Sequence, residues 1–213
     1  MKLILFSGGV DSTTCLALAK AKDPDILCLS FDYGQRHRYM ELKAARSLAS
    51  YYKASYEVLD IGSIFSQGKS SLTNKDLEMT LGAYKDQEDL NTEVEFRNGV
   101  FIAILTSLAM QYGADKIYYG AHQDEAGNIY PDCSPEFFKA MADAVYYGSG
   151  KKVTLEAPFI NKTKAEIVKC GLDLGVPYQM TYSCYMGTDP ACGKCGTCID
   201  RKKSFEKNGL DLI

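Results

Sequence analysis

The segment Ser7-Gly8-Gly9-Val10-Asp11-Ser12 constrains this chain most, because it joins an apolar, strand-like run, Leu3–Phe6, to a helix-like run over Ser12–Ala21. A strand that passes through two glycines into a helix N-terminus aims backbone N–H groups and the positive end of the helix dipole at one point, which makes an anion site. Glycine takes turn conformations that other residues resist and lets phosphate oxygens approach the backbone without meeting a side chain. Ser7, Ser12 and Thr13 add hydroxyl donors. Asp11 is an acid in a site for anions, which is consistent if it caps the helix or holds a magnesium ion that bridges phosphates. The pattern GxxxxGK[ST] is absent, so the loop is not expected to present a γ-phosphate for transfer.

Apolar runs and helical spacings alternate along the rest of the chain. After the Asp23-Pro24-Asp25 break, Ile26–Phe31 reads as a strand, Arg38–Tyr52 as a helix and Tyr56–Leu59 as a strand. Gly99–Tyr112 is apolar nearly all round and reads as a buried helix; Lys116–Gly120 follows as a strand, Pro135–Tyr147 as a helix, Val153–Leu155 as a strand and Thr163–Leu174 as a helix. This order predicts an α/β fold with a mostly parallel, doubly wound sheet. Ligands of such sheets lie beyond the carboxyl ends of the strands, which here carry the Ser7 loop, Ser30-Phe31-Asp32-Tyr33 and Gly120-Ala121-His122. The polar stretch 68–95 has little periodicity and reads as a mobile lid over that end.

The 213 residues, 46% hydrophobic and 24% charged, suffice for one well-buried core with an appendage. We divide them into a nucleotide-binding domain, 1–180, and a C-terminal segment, 181–213, packed on the same core. The net charge of −3, with no dense Lys/Arg block, predicts no direct nucleic-acid binding. The longest apolar stretch, Val100–Met110, is too short to span a bilayer, and no secretory layout is visible at residues 1–6, so a cytoplasmic protein is expected.

Cys184, Cys192, Cys195 and Cys198 fall as C-x7-C-x2-C-x2-C, with Gly187, Gly193 and Gly196 among them. Four thiolates gathered by tight turns form a closed tetrahedral zinc site, with no position left for substrate, so a structural role is predicted. A catalytic thiol, an iron–sulfur cluster or disulfides remain alternatives at this spacing. Cys15, Cys28, Cys133 and Cys170 sit mostly among apolar neighbours and read as small core residues. His37, after Arg36, reads as a solvated helix start, and Lys162 and Lys164 at a helix N-terminus hint at an anionic ligand.

The hexapeptide resembles the pyrophosphatase loop (SGGxDS) of ATP-dependent enzymes that adenylylate a substrate. Further blocks accompany it: Phe31-Asp32-Tyr33-Gly34-Gln35-Arg36-His37, Arg97-Asn98-Gly99, Tyr130-Pro131-Asp132-Cys133-Ser134-Pro135-Glu136-Phe137, Ser183-Cys184-Tyr185 and Cys192-Gly193-Lys194-Cys195-Gly196-Thr197-Cys198. With these in order nearly end to end, the chain resembles the 7-cyano-7-deazaguanine synthase (preQ0 synthase, QueC) family. It departs at Glu95, near where that family commonly has proline, and at Tyr182, where tryptophan is frequent.

The resemblance implies a ligase that turns the carboxylate of 7-carboxy-7-deazaguanine into a nitrile with ATP and ammonia, in queuosine biosynthesis, working as a homodimer. It implies ATP contacts along Phe6, Ser7, Gly8, Gly9, Val10, Asp11, Ser12, Thr13, Thr14, Cys15 and Leu16, with adenine near Leu29–Phe31. It implies catalytic roles for Asp11, Ser12, Arg97 and Asp132, and substrate contacts from Arg97, Asn98, His122 and Asp132. Zinc on the four cysteines and magnesium with ATP are the implied metals. Another adenylylating enzyme with the same loop, such as a tRNA thiolase, and a non-catalytic zinc-stapled nucleotide-binding module remain as alternatives.

Overall fold

The computed structural model describes residues 1–87, 90–122 and 130–211. Five strands, β1 (Lys2–Leu5), β2 (Ile26–Asp32), β3 (Ser55–Asp60), β4 (Lys116–Tyr118) and β5 (Thr154–Glu156), form one parallel sheet in the order β3-β2-β1-β4-β5. Helices connect them: α1 (Val10–Lys20), α2 (Arg38–Tyr51), a short α3 (Gly62–Phe65), α4 (Arg97–Tyr112), α5 (Pro135–Gly148) and α6 (Lys164–Asp173), with α7 (Gly196–Glu206) closing the chain. Strand order runs outward in one direction from β1 through β2 and β3, then reverses to β4 and β5. The crevice at that reversal lies above the carboxyl ends of β1 and β4, where open sheets bind ligands.

Alternation along β1 divides the core in two. Leu3 faces a cluster with Phe101, Ile102 and Leu105 of α4 and Ile117 of β4. Its neighbour Ile4 faces Cys15 and Leu16 of α1, Leu48 of α2 and Ile167 of α6. Both faces of the sheet are therefore covered, which explains why β2 is a continuous apolar run. Cys184, Cys195 and Cys198 belong to the first of these clusters.

One helix departs from its sequence pattern. Although α4 is apolar nearly all round, it buries only one face, through Asn98, Gly99, Phe101, Ile102, Leu105 and Ala109, and leaves Ala103, Ser107 and Met110 exposed. The sheet offers α4 a single surface, so a second apolar stripe finds nothing to bury against. The polar α7, not foreseen from the sequence, forms on tertiary contacts instead of periodicity: Thr197 donates to the Ser183 carbonyl (2.7 Å), and Arg201 to the Tyr178 carbonyl (3.0 Å) and Thr181 Oγ1 (2.7 Å). The described part of 68–95 is laid along the sheet's carboxyl end. Arg36 donates to the carbonyls of Ser71, Asn74, Lys75 and Leu77 there, and the Gly82 N–H reaches the Lys194 carbonyl at 2.9 Å.

At Gly8 the turn out of β1 has a φ of +71°, and a Cβ there would stand 2.5 Å from the Ala45 backbone nitrogen of α2. Left-handed backbone strains a non-glycine residue by about 1–3 kcal/mol, and the collision adds to that. Gly8→Ala is expected to lower stability by about 3 kcal/mol and to displace the loop; a denaturant titration showing a loss under about 1 kcal/mol would mean that α2 yields freely.

Candidate active site

The β1–α1 loop forms one wall of a cavity of about 290 Å³. Among the described residues no side chain caps the first turn of α1, which leaves its leading N–H groups at the crevice. Ser7 Oγ and Ser12 Oγ lie 3.1 Å apart, and the Ser7 N–H reaches Ser12 Oγ at 3.3 Å, which turns both hydroxyls toward the same point. The Tyr182 N–H donates to the Gly8 carbonyl at 3.1 Å, tying the segment that leads to the cysteines directly to the loop.

Asp11 opens toward Lys164, the first residue of α6, which donates to Asp11 Oδ2, while His122 Nε2 stands 3.6 Å from the same oxygen. Burial pushes the carboxyl upward, but the facing Lys164 and His122 charges outweigh it and hold Asp11 below its usual range. The other oxygen, Oδ1, is buried with no hydrogen-bond partner among the described residues. An orphaned carboxylate oxygen beside a phosphate-type loop fits a hard cation such as magnesium. Lys164, read as a hint of an anionic ligand, thus has a carboxylate of its own chain for partner; Lys162 does not line the cavity.

The opposite wall is built from tyrosines. Arg97, at the start of α4, donates through Nη1 to Tyr33 OH (2.8 Å), and its guanidinium carbon lies 5.4 Å from that ring's centre. Among the described residues it makes no ion pair. Burial works against its charge, yet Tyr33, Tyr185 and Asp132 around it raise its pKa well above the usual value, so it stays cationic. Tyr84, Tyr119, Tyr130 and Tyr185 complete this wall. Tyr33, Tyr130 and Tyr185 lie in blocks of the family pattern and Tyr84 and Tyr119 do not; that these five converge from separate segments is something no local pattern reveals. Phe31, expected beside adenine, lines the cavity with its ring stacked on Phe101, centroids 4.3 Å apart.

Phe6, Ser7, Gly9, Val10, Asp11, Ser12, Arg97, Asn98 and His122 therefore share one cavity. Gly8, Thr13, Thr14, Cys15 and Leu16 do not line it: Thr14 Oγ1 donates to the Val10 carbonyl (2.8 Å), and Thr13, Cys15 and Leu16 are wholly buried. Asp132 is also outside the lining. Its Oδ2 accepts the Asn98 N–H at 2.9 Å and its carbonyl accepts Tyr119 OH at 2.9 Å, so it caps α4 and sets the position of Arg97 and Asn98. Cys133, next to it, does line the cavity, where burial and the Asp132 charge push its thiol up to about 12. His37 departs from the solvated helix start: it is 3% exposed, in the cavity wall.

Behind the tyrosines, the Sγ atoms of Cys184, Cys192, Cys195 and Cys198 all lie within 4.8 Å of one another. A tetrahedral ion about 2.3 Å from each sulfur would separate the sulfurs by about 3.8 Å; Cys192 and Cys198 are 3.9 Å apart and Cys195 and Cys198 3.4 Å. Hydrogen bonds from Cys195 and Cys198 draw the Cys184 thiol down toward thiolate. Gly187 and Gly193 turn the chain around the cluster with φ of +71° and +69°. The donor set fits a metal ion.

Comparison with known proteins extends these observations. The chain is 39% identical over 208 residues to the 7-cyano-7-deazaguanine synthase of Caldicellulosiruptor bescii, covering 98% of this chain and 93% of that one. It is 37% identical over 209 residues to the 7-cyano-7-deazaguanine synthase of Psychromonas ingrahamii, covering 98% and 94%. The NMN synthetase of Francisella tularensis superposes with a TM-score of 0.53 at 14% identity, over 100% of this chain and 78% of that one, a likeness of fold alone. No helix of the described residues is long and apolar enough to cross a membrane. The family described as queuosine biosynthesis protein QueC matches residues 1–209, and with relatives of this similarity along nearly the whole chain, the protein belongs to the QueC family.

Proposed function

We propose that the protein is an ATP-dependent ligase of queuosine biosynthesis that converts 7-carboxy-7-deazaguanine and ammonia into 7-cyano-7-deazaguanine. One observation carries the reading: uncapped helix amides suited to phosphate and a guanidinium with no ion pair among the described residues open onto the same cavity, so an ATP and a carboxylate would meet there. The substrate carboxylate would lie toward Arg97, whose planar fork matches it, and the tyrosine wall would hold the flat deazaguanine ring. The carboxylate would attack the α-phosphate, with pyrophosphate leaving against the amides of α1 and the hydroxyls of Ser7 and Ser12. Ammonia would displace AMP to give the amide, and a second adenylylation on the amide oxygen would allow loss of AMP and formation of the nitrile.

Asp11, through its unpartnered Oδ1, is the residue to hold magnesium, which when bound would spread the phosphate charge. Cys184, Cys192, Cys195 and Cys198 would hold zinc as a closed structural site. Residues 68–95, which place Tyr84 at the cavity, would serve as its cover. A homodimer is supported by the exposed apolar residues Phe96, Met110 and Tyr147 on and beside α4 and α5, and a cytoplasmic setting by eight cysteines that form no disulfide, four of them gathered as metal ligands.

The test is to incubate the protein with 7-carboxy-7-deazaguanine, MgATP and ammonium and follow base and nucleotides by mass spectrometry. Nitrile accompanied by AMP and pyrophosphate is expected. An unchanged base with ATP still split to AMP would keep the phosphate loop and remove the acceptor.

A further inference from the structure

On the reading above, the substrate carries opposite chemistry at its two ends. Its carboxylate stands on the five-membered ring, while the six-membered ring presents N1–H and the 2-amino group side by side, two donors that point the same way. Arg97 suits the first end. The second is matched by a carboxylate, whose two oxygens accept two parallel N–H bonds. Among the described residues the carboxylates of Asp11, Glu41 and Asp200 line the cavity. Asp11 stands at the phosphate end, against Lys164, and Asp200 lies on α7.

Glu41, in the first turn of α2, is held at both oxygens. Gln35 Nε2 donates to Oε1 at 2.8 Å, and His37 Nε2 lies 3.2 Å from Oε2. Gln35 is itself fixed: it is 1% exposed, its Nε2 also donates to the Phe31 carbonyl at 3.0 Å, and its Oε1 accepts the Tyr33 N–H at 2.9 Å. A carboxylate oxygen accepts two bonds, so each oxygen of Glu41 has one place left, and the side chain, 15% exposed, lines the cavity. Among the described residues no lysine or arginine forms an ion pair with it. The same wall carries Arg97, whose Nη1 donates to Tyr33 OH. Burial pushes Tyr33 up to about 12, with Arg97 pulling it down and Glu41 adding to the rise, so a cation and an anion both stand close to one tyrosine. A first-turn acid also suits the dipole of α2, but that role calls for neither a place in the cavity wall nor two oxygens fixed in direction.

We propose that Glu41, positioned by Gln35 and His37, selects a guanine-type base by accepting hydrogen bonds from its N1–H and 2-amino group; this rests on the function proposed above. The substrate carboxylate turns to Arg97, the donor edge turns to Glu41, and the flat ring lies along Tyr33 between them. A base without the 2-amino group leaves one oxygen of a largely buried carboxylate short of a donor, the kind of loss by which hydrogen-bonding sites reject analogues. An adenine edge sets its amino group beside an acceptor nitrogen, which a carboxylate repels, so ATP does not compete for this place through its base.

The test is the acid-dependent exchange of pyrophosphate into ATP, which needs no ammonia, run with 7-carboxy-7-deazaguanine and with its analogue lacking the 2-amino group. In the unaltered protein the analogue is expected to have a kcat/KM about 100-fold lower, carried mainly by KM. In Glu41→Gln the guanine-type base is expected to lose about 100-fold and the analogue under about 10-fold, so that most of the discrimination disappears while the KM for ATP stays as it was. Equal use of the two bases by the unaltered protein would overturn the proposal, whether or not the variant folds. So would full discrimination in Glu41→Gln, a rise in its KM for ATP in place of that for the base, or a loss of discrimination in Asp200→Asn that Glu41→Gln does not show. No exchange with either base in the unaltered protein would overturn the proposed function and this inference with it.

Discussion

Cys195→Ser is expected to strip the protein of its metal and to loosen its C-terminal segment. Cys195 is wholly buried and is the N-cap residue of α7, with its sulfur 3.4 Å from that of Cys198 and its N–H 3.4 Å from Cys192 Sγ. A serine hydroxyl is a hard, protonated oxygen in a set that suits a thiophilic ion, and three thiolates without a fourth ligand leave the ion open to water. Metal binding at structural zinc sites is worth on the order of 10 kcal/mol in small domains, so even partial loss exceeds what one buried contact supplies. The effect would reach the phosphate loop. Helix α7 holds the 178–183 strap through Arg201 and Thr197, and that strap donates Tyr182 N–H to Gly8. Metal analysis of the purified variant should give well under one ion per chain, with a thermal midpoint lowered by about 10 °C or more. A variant with a full complement of metal and an unchanged midpoint would show that Cys195 is not a ligand.

The order of strands and helices, the phosphate loop and the cysteine cluster were legible because each is written locally: apolar runs alternate with helical spacing, glycines sit between a strand and a helix, and four cysteines share a short segment. The features that misled were decided by neighbours distant in sequence. An apolar circumference made α4 look buried, but the sheet gives it one face only. Asp132 lies in a block of the family pattern, and only the fold shows its carboxylate turned to the N–H of Asn98. His37 follows an arginine in a polar turn, and only the approach of Glu41, Tyr185 and Gly187, whose Cβ would stand 2.9 Å from His37 Cα, encloses it. Helix α7 has too few apolar residues for its period to stand out, and forms on the cysteines and Arg201 instead.

Asp11→Ala is expected to lower acid-dependent pyrophosphate exchange by about 1,000-fold while the protein stays folded. Two roles for this carboxylate compete, and they predict opposite effects on the nucleotide. If Asp11 served only as the counter-ion of Lys164, removing it would free a cation beside the amides of α1, and phosphate would bind more tightly. If its unpartnered Oδ1 holds magnesium, removal would instead raise the magnesium concentration needed for exchange and depress the rate at saturation, because transition-state charge on the phosphates would be poorly met. Stability should change little, since losing a first-turn acid costs a helix about 0.3–1 kcal/mol and the Lys164 side chain retains 20% of its exposure to water. Asp11→Asn separates size from charge: an amide keeps the oxygen but gives up the negative charge that a divalent ion requires. Exchange as weak in Asp11→Asn as in Asp11→Ala, with a folded protein by circular dichroism, is the outcome expected of a metal-holding carboxylate. Wild-type exchange with an unaltered magnesium dependence in either variant would reduce Asp11 to the partner of Lys164.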